Sequence, residues 1–139
     1  MLRLLLLLFS MFPLLTSMRS QSYAVRGRLI CGPSPSTNVR VKLWEADRGD
    51  DPDDLLDTTH TDSNGEFVLS GFTSELTTID PQIRIYHNCN DENKFGKRRV
   101  KFLLPKSYIS DGRTPKKEYD LGIINLETSY PLEDRDIMN

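Results

Sequence analysis

One acidic segment, EADRGDDPDDLLD, holds enough carboxylates to suggest a calcium site. Its aspartates are Asp47, Asp50, Asp51, Asp53, Asp54 and Asp57. Calcium takes about six to eight oxygens from a suitably folded loop. An EF-hand loop beginning at Asp47 would put Pro52 where a glycine is needed and Thr58 where a bidentate glutamate is needed. We therefore predict a solvated loop and no metal site, with a calcium site of another type as the alternative.

The same segment contains Arg48, Gly49 and Asp50, the tripeptide that integrins recognise. This tripeptide arises by chance in about three per cent of chains of this length. Recognition also requires an exposed and suitably curved turn. Arg48, Gly49 and Asp50 are therefore a candidate receptor loop.

Histidine, the usual general acid or base near neutral pH, is present only as His60 and His87. His60 falls beside a predicted turn, and His87 lies between Ile85 and Cys89 on an otherwise apolar strand face. No Cys, Asp or Glu stands around His87 at metal-ligand spacing. We predict that both histidines belong to the scaffold, that no residue is catalytic and that no cofactor is bound. A switch or ligand role for His87 is the alternative.

Positive charge accumulates in residues 94–117, where nine Lys and Arg side chains face one acid, a net charge of +8. Glu45 to Glu66 carries nine acids against one arginine, a net charge of −8. The basic part could attract anionic lipid headgroups or glycans, which leaves the acidic part for a protein partner. The candidate residues for binding an anionic surface are Lys97, Arg98, Arg99 and Lys101. Alternatively, these charges only protect an edge strand from aggregation.

The N-terminal segment has the pattern of a signal peptide, which we place at residues 1–20. Arg3 precedes an apolar run that is interrupted by Pro13 and is shorter than the roughly 20 residues that a membrane-spanning helix needs. The mature chain is therefore predicted to be secreted, extracellular and not membrane-spanning. Removing Arg3 and Arg19 leaves 18 − 2 = 16 basic residues against 20 acids, a net charge of −4. This balance does not suggest a nucleic-acid-binding protein.

Both cysteines, Cys31 and Cys89, belong to the mature chain. An oxidising compartment favours an intramolecular disulfide between them. A reactive thiol pair and an intermolecular bridge are the alternatives.

Apolar and polar residues alternate with period two along the mature chain, which predicts strands rather than helices. Asn64-Gly65, between TTHTDS and EFVLS, predicts a type I′ β-hairpin. At most one short helical turn is expected, within TSELTTI. About seven to eight strands predict an all-β antiparallel sandwich of two sheets over residues 21–130. Residues 131–139 are predicted to form a flexible tail.

Several ordered blocks resemble the nematode transthyretin-like family over essentially the whole mature chain. They include GRLICGPSPSTNVRVKLWEAD, TDSNGEF, IYHNC and GKRRVKFLLPKSYI. The resemblance implies a small secreted β-sandwich of the transthyretin, or prealbumin, type. Hydroxyisourate hydrolases of this fold combine His and Arg residues in a channel between subunits and end in Tyr-Arg-Gly-Ser. This chain ends in YPLEDRDIMN and offers no histidine pair around an arginine, so hydrolase activity is disfavoured.

We therefore expect a secreted, non-enzymatic binding module. Its expected role is that of an extracellular adapter that recognises an anionic lipid or glycan surface and an unknown extracellular protein. The alternative is a carrier that holds a small apolar molecule inside the sandwich or between subunits. Because transthyretin relatives build their ligand channel by pairing subunits, a homo-oligomer is a further alternative.

Overall fold

The computed structural model describes residues 18–46 and 52–138, and these residues form almost only β-structure. Two five-stranded sheets confirm the predicted all-β sandwich. The strands are β1 (Arg19–Cys31), β2 (Ser34–Pro35), β3 (Arg40–Glu45), β4 (Asp54–His60), β5 (Glu66–Glu75), β6 (Pro81–His87), β7 (Lys97–Leu103), β8 (Ser110–Asp111), β9 (Tyr119–Asn125) and β10 (Asp134–Asp136). A 3-10 turn spans Lys106–Tyr108, whereas the first three residues of TSELTTI continue β5. No helix in the described ranges is long and apolar enough to cross a membrane.

Sheet A is built around the long strand β1. Strand β5 pairs antiparallel with β1 over ten residue pairs, and the short strands β2 and β8 are also antiparallel to β1. Strand β9 runs parallel to β1 and shifts register between Arg26 and Arg28. Sheet B has the order β10-β7-β6-β3-β4, and all its neighbouring strands are antiparallel.

The core lies between the two sheets. It is filled by the side chains of alternate residues along the strands, which point inward. Its fully buried members include Tyr23, Val25, Leu29, Val41, Leu43, Leu69, Ile83, Ile85, Val100 and Leu126. Each large aliphatic side chain buried in this way contributes about 1.5–3 kcal/mol of hydrophobic free energy. The Tyr23 hydroxyl donates a hydrogen bond to the Pro105 carbonyl at 2.8 Å, and burial raises the pKa of this phenol.

The turn at Asn64-Gly65 does not form the predicted hairpin. It carries the chain from β4 in sheet B to β5 in sheet A. Asp62 organises it, because its Oδ1 accepts hydrogen bonds from the N–H groups of Asn64 and Glu66. Gly65 has a φ of 77° but Asn64 has no positive φ, whereas a type I′ turn needs both. A Cβ on Gly65 would lie 2.2 Å from the Leu29 carbonyl oxygen, so close packing against β1 requires the glycine.

The predicted disulfide between Cys31 and Cys89 is confirmed. Cys31 ends β1 in sheet A, and Cys89 follows β6 of sheet B. The bond therefore ties the two sheets together across a sequence separation of 58 residues.

The structure describes most of the predicted C-terminal tail but only the last three residues of the predicted signal peptide. At the C-terminus, where a flexible tail is predicted, Asp134–Asp136 form β10 and pair with β7. At the N-terminus, residues 1–17 of the predicted signal peptide lie outside the described residues, and Arg19 and Ser20 are the first residues of β1. The signal peptide and its cleavage point stay predictions.

Candidate functional site

The outer face of sheet B carries positive side chains on neighbouring strands. The register places Lys42 of β3, Arg84 of β6 and Lys101 of β7 directly opposite one another. Neighbouring strands lie about 4.8 Å apart, so the three form a continuous cationic row. In the next row, Arg40 and Arg99 stand opposite Tyr86 from its two sides. Like charges directly opposite each other are unfavourable in a sheet.

Two aromatic rings lie among these cations. The Arg84 guanidinium carbon lies 4.7 Å from the centre of the Trp44 ring. The Lys42 ammonium lies 5.0 Å from the Tyr86 ring centre and 6.0 Å from that of Trp44. Each cation–π contact of this kind stabilises by about 0.5–1 kcal/mol at an exposed site. The rings thus hold the charged ends at fixed places on the face.

Arg84 is the most rigidly held member of the row. Its Nε donates to Gln82 Oε1 at 2.6 Å, and its Nη2 donates to Asp53 Oδ2 at 2.7 Å. Its side chain is only 15% exposed. Arg84 is therefore positioned before any ligand arrives.

Asp134 of β10 binds the β7 end of the face. Its two oxygens accept hydrogen bonds from Arg99 at 2.8 and 2.6 Å, and Lys101 donates to it at 3.3 Å. The hydrogen bond from Arg99, followed by that from Lys101, lowers the pKa of Asp134 to about 2. This carboxylate is consequently ionised at any physiological pH and offsets one of the two neighbouring positive charges.

The face keeps a positive excess after these pairings. Among the described residues, its charged side chains are the cations Arg40, Lys42, Arg84, Lys97, Arg99 and Lys101 and the acids Asp53, Asp134 and Asp136. Six positive charges minus three negative ones leave +3. Within the described part of the chain, Arg40 and Lys42 on β3 have no carboxylate partner. The available positive charge is therefore centred on β3.

The four predicted surface residues divide between the two faces of β7. Strand alternation puts Lys97, Arg99 and Lys101 on the outer face. Arg98 lies on the opposite side with the buried Val100. Sequence analysis missed Arg40, Lys42 and Arg84 as members of the site. The outward alternation of β3 and β6 was visible in the sequence, but the register that aligns these strands with β7 was not.

Arg98 is an internal structural residue and not part of the binding face. Its guanidinium donates to Glu133 Oε1 at 2.5 Å, to the carbonyls of Cys89 and Leu126 at 2.9 Å each, and to the Thr128 carbonyl at 3.1 Å. The side chains of Arg98 and Glu133 are 12% and 14% exposed. We therefore remove Arg98 from the candidate anionic-surface residues.

The two histidines lie in different surroundings. His60 is exposed on β4, whereas His87 at the end of β6 is 2% exposed. The Cys89 N–H donates to His87 Nδ1 at 3.1 Å, so the neutral ring carries its proton on Nε2. Burial, aided by the positive charge of Arg98, lowers the pKa of His87 to about 4. A neutral, buried imidazole of this kind fits the predicted scaffold role.

His87 should make the protein less stable in mild acid. The unfolded chain binds a proton at the ordinary histidine pKa of 6.5, whereas folded His87 binds one only near pH 4. Between these values the unfolded state holds more protons, so the free energy of unfolding falls as the pH is lowered. We expect His87→Asn, which keeps an acceptor for the Cys89 N–H, to reduce the difference between the urea midpoints at about pH 7 and about pH 5. The same substitution at the exposed His60 is the matched control, and an unchanged difference in His87→Asn would contradict the assignment.

The described part of the acidic segment is used within the fold. Asp53 binds Arg84, and Asp54 Oδ2 accepts a hydrogen bond from the Thr73 hydroxyl at 3.5 Å. Asp57 Oδ2 accepts the Ser70 N–H at 3.0 Å, which joins the edges of β4 and β5. Residues 47–51, and with them the candidate receptor loop Arg48, Gly49 and Asp50, lie outside the described residues.

Three carboxylates approach one another near the end of β3. One oxygen from each of Glu45, Asp54 and Glu75 lies within 4.8 Å of the others. Glu45 also accepts the Asp80 N–H at 3.4 Å, so this side chain has a structural role. Clustered carboxylates are common without a bound ion, and we assign no metal site to this trio.

The outer face of sheet A differs from that of sheet B because it exposes apolar side chains. Val68 is 60% exposed, Ile123 63% and Phe72 48%. Val68 and Ile123 line a depression of about 380 Å³. Arg26 at its border pairs with Glu118 and Asp120, both at 3.4 Å. The two outer faces of the sandwich thus present different chemistry in opposite directions.

Comparison with known proteins gives consistent results. A model of the transthyretin-like family matches residues 26–105. In Caenorhabditis elegans, transthyretin-like protein 46 is 54% identical over 137 residues, which cover 98% of this chain and 76% of that protein. Transthyretin-like protein 33 is 47% identical over 120 residues, 86% of this chain and 84% of that protein. Transthyretin-like protein 5 is 46% identical over 120 residues and covers 86% of each chain.

A solved structure of a 9R-lipoxygenase from Cyanothece aligns with 79% of this chain and with 16% of the lipoxygenase chain. The sequence identity is 20% and the TM-score is 0.43, which is too weak a similarity to assign a fold or a function.

The three relatives named above are called transthyretin-like proteins and not enzymes, which favours a non-enzymatic binding module. With a family model that matches more than half of the sequence and a relative aligned over nearly all of it, the chain belongs to the transthyretin-like family.

Proposed function

We propose that the protein is a secreted, non-enzymatic adapter that recognises an anionic cell-surface component and, on a different surface, a protein partner. The observation that carries the proposal is the row of Lys42, Arg84 and Lys101 on the outer face of sheet B. Near an anionic surface each exposed Lys or Arg contributes about 1 kcal/mol, so several cations must act together. A face with an excess of +3 meets that requirement, and this excess already includes Asp53 of the acidic segment, which pairs with Arg84.

Extracellular action is supported by two features of the chain. The N-terminal sequence has the pattern of a signal peptide. The disulfide between Cys31 and Cys89 is a type of bond that persists outside the reducing cytosol.

The arrangement of the two sheets supports the adapter role. An adapter has to hold two partners at once without a clash between them. Sheet B offers a charged outer face, and sheet A exposes Val68, Phe72 and Ile123 on the other side of the sandwich. Apolar side chains with charged neighbours are typical of protein–protein contacts, so we assign the protein partner to the outer face of sheet A.

The test is the binding of labelled mature protein to intact animal cells. Charge reversal of the two outward cations of β3, Arg40→Glu with Lys42→Glu, should abolish most binding at low ionic strength. The matched control, Lys116→Glu with Lys117→Glu, makes the same charge change on the exposed loop before β9 and should retain binding. Raising the salt concentration should weaken binding of the unmodified protein. Equal binding by both double variants would reject the sheet B face.

A carrier of a small apolar molecule is the second candidate. The depression on sheet A favours it, because its volume of about 380 Å³ lies within the range usual for small-molecule sites, about 300–1,000 Å³. Native mass spectrometry of protein isolated from its source should then show a bound molecule. Light scattering of the same sample would show whether subunits pair, which an enclosed site between subunits requires.

A further inference from the structure

We infer that the anionic component is a linear acidic polysaccharide that lies along the cationic row of sheet B; this rests on the proposed function and names its ligand class. The row runs across β7, β6 and β3 through Lys101, Arg84 and Lys42. Two strand spacings of about 4.8 Å give it a length of about 10 Å. A polymer with negative charges repeated along its length can pair with all three side chains at once. One isolated phosphate cannot span them.

The shape of the face agrees with a polymer. Sites for small anions and single headgroups are concave, because they must surround their ligand. The outer face of sheet B is a strand surface whose cations stand side by side rather than around a cavity. Its central guanidinium, Arg84, is held by Trp44, Gln82 and Asp53 before binding, so little side-chain entropy is lost there.

The position of the aromatic rings disfavours insertion into a bilayer. Surfaces that bind membranes expose Trp, Phe or Leu beyond the charged side chains. On sheet B the cations lie over the rings: Lys42 lies over Tyr86 and Trp44, and Tyr86 is 5% exposed. The exposed leucines Leu55 and Leu103 are on β4 and β7, and β3 and β6 separate them, so they form no continuous apolar patch. The charges would meet the ligand first.

The cations of the row repel one another. Lys42 and Lys101 both stand opposite Arg84, and like charges in such positions are unfavourable in a free sheet. Residues that oppose local stability are expected at functional sites, where a ligand offsets the cost. Asp53 and Asp134 offset the charges of Arg84 and Lys101, so among the described residues the cost falls on Lys42 and the neighbouring Arg40. A polyanion that neutralises these two cations should therefore stabilise the folded protein.

The experiment measures binding of the mature protein to heparin, a sulfated polysaccharide, to neutral dextran, and to vesicles that contain phosphatidylserine. We expect saturable binding to heparin and none to dextran. Arg40→Glu with Lys42→Glu should weaken heparin binding at least about tenfold and make the plot of log affinity against log salt shallower by about one to two, since fewer counterions are released. Lys116→Glu with Lys117→Glu should change neither.

The outcomes separate this inference from the proposed function. Binding to vesicles without binding to heparin would overturn the polysaccharide and leave an anionic surface as the target. Binding to heparin that persists in Arg40→Glu with Lys42→Glu would overturn the row as its site. Failure to bind heparin, with cell binding still lost in that variant, would also overturn the polysaccharide but not the adapter.

An increase of the melting temperature on addition of heparin, absent in the variant, would support the inference independently. A neutral version, Arg40→Gln with Lys42→Gln, provides the same comparison if the charge-reversed chain does not fold.

Discussion

Replacing Arg98 with alanine should lower the free energy of unfolding by about 3–5 kcal/mol, because one partner of a buried ion pair is lost. Glu133 would keep its charge in a site where it is 14% exposed. The carbonyls of Cys89 and Leu126 would lose a charged donor at 2.9 Å. Buried acceptors that lose their only good donor each add to the cost. Urea unfolding should show a lower midpoint with a similar slope.

Arg99 provides the control for this prediction, since it is the same residue type one position further along. It also pairs with a carboxylate of the C-terminal segment, Asp134, but the two side chains are 26% and 43% exposed. Exposed pairs contribute only about 0–1 kcal/mol. Arg99→Ala should therefore be much less destabilising than Arg98→Ala, and equal losses would contradict the role of Arg98. Arg98→Lys should recover only part of the stability, because one ammonium cannot reproduce the planar fork of donors.

Removal of the disulfide, by Cys31→Ala with Cys89→Ala, should destabilise by about 4 kcal/mol in the chain-entropy model. The bond closes a long loop, with 58 residues of sequence separation, so its loss gives the unfolded chain many more conformations. Urea unfolding of the variant should occur at a lower midpoint and with a slope at least as steep. The unmodified protein treated with a reductant should behave like the variant. Oxidised, reduced and alanine forms with the same midpoint would refute the stabilising role.

The two variants should not be independent. Arg98 donates to the carbonyl of Cys89, so the guanidinium and the disulfide hold the same short segment after β6. Sites that share a partner usually show interaction energies of about 0.5–3 kcal/mol in double-mutant cycles. Combining Arg98→Ala with the loss of both cysteines should therefore cost less than the sum of the separate changes.

Local sequence patterns were sufficient for the strands but not for the assignment of every strand to a sheet. Alternation correctly placed residues such as Val41 and Ile85 in the core. Asn64-Gly65 misled because the dipeptide has the same preference for tight turns whether the flanking strands pair with each other or separate into two sheets. The decisive contact is non-local, since Gly65 packs against the carbonyl of Leu29.

The role of the C-terminal segment was also beyond local patterns. PLEDRDIMN has no strand signal, and its charges are typical of a solvated tail. Their partners lie elsewhere in the chain: Glu133 meets Arg98, Asp134 meets Arg99, and Arg135 donates to Asp91. A segment held by three successive long-range ion pairs can be recognised only when both partners are placed in space. For the same reason the basic run on β7 is less available to ligands than its sequence predicts, since Arg98, Arg99 and Lys101 all pair with this segment.

The parallel pairing of β1 with β9 has a consequence for how the protein is made. β1 is complete by Cys31, but its neighbour β9 begins only at Tyr119. During synthesis, nearly the whole chain must therefore be made before that side of the central strand of sheet A is covered. Contacts between residues so far apart in sequence slow folding, and they leave a strand edge open to aggregation in the meantime. Because β5 and Cys89 both precede β9 in the chain, the β5 pairing and the disulfide can already hold β1 in place during this interval.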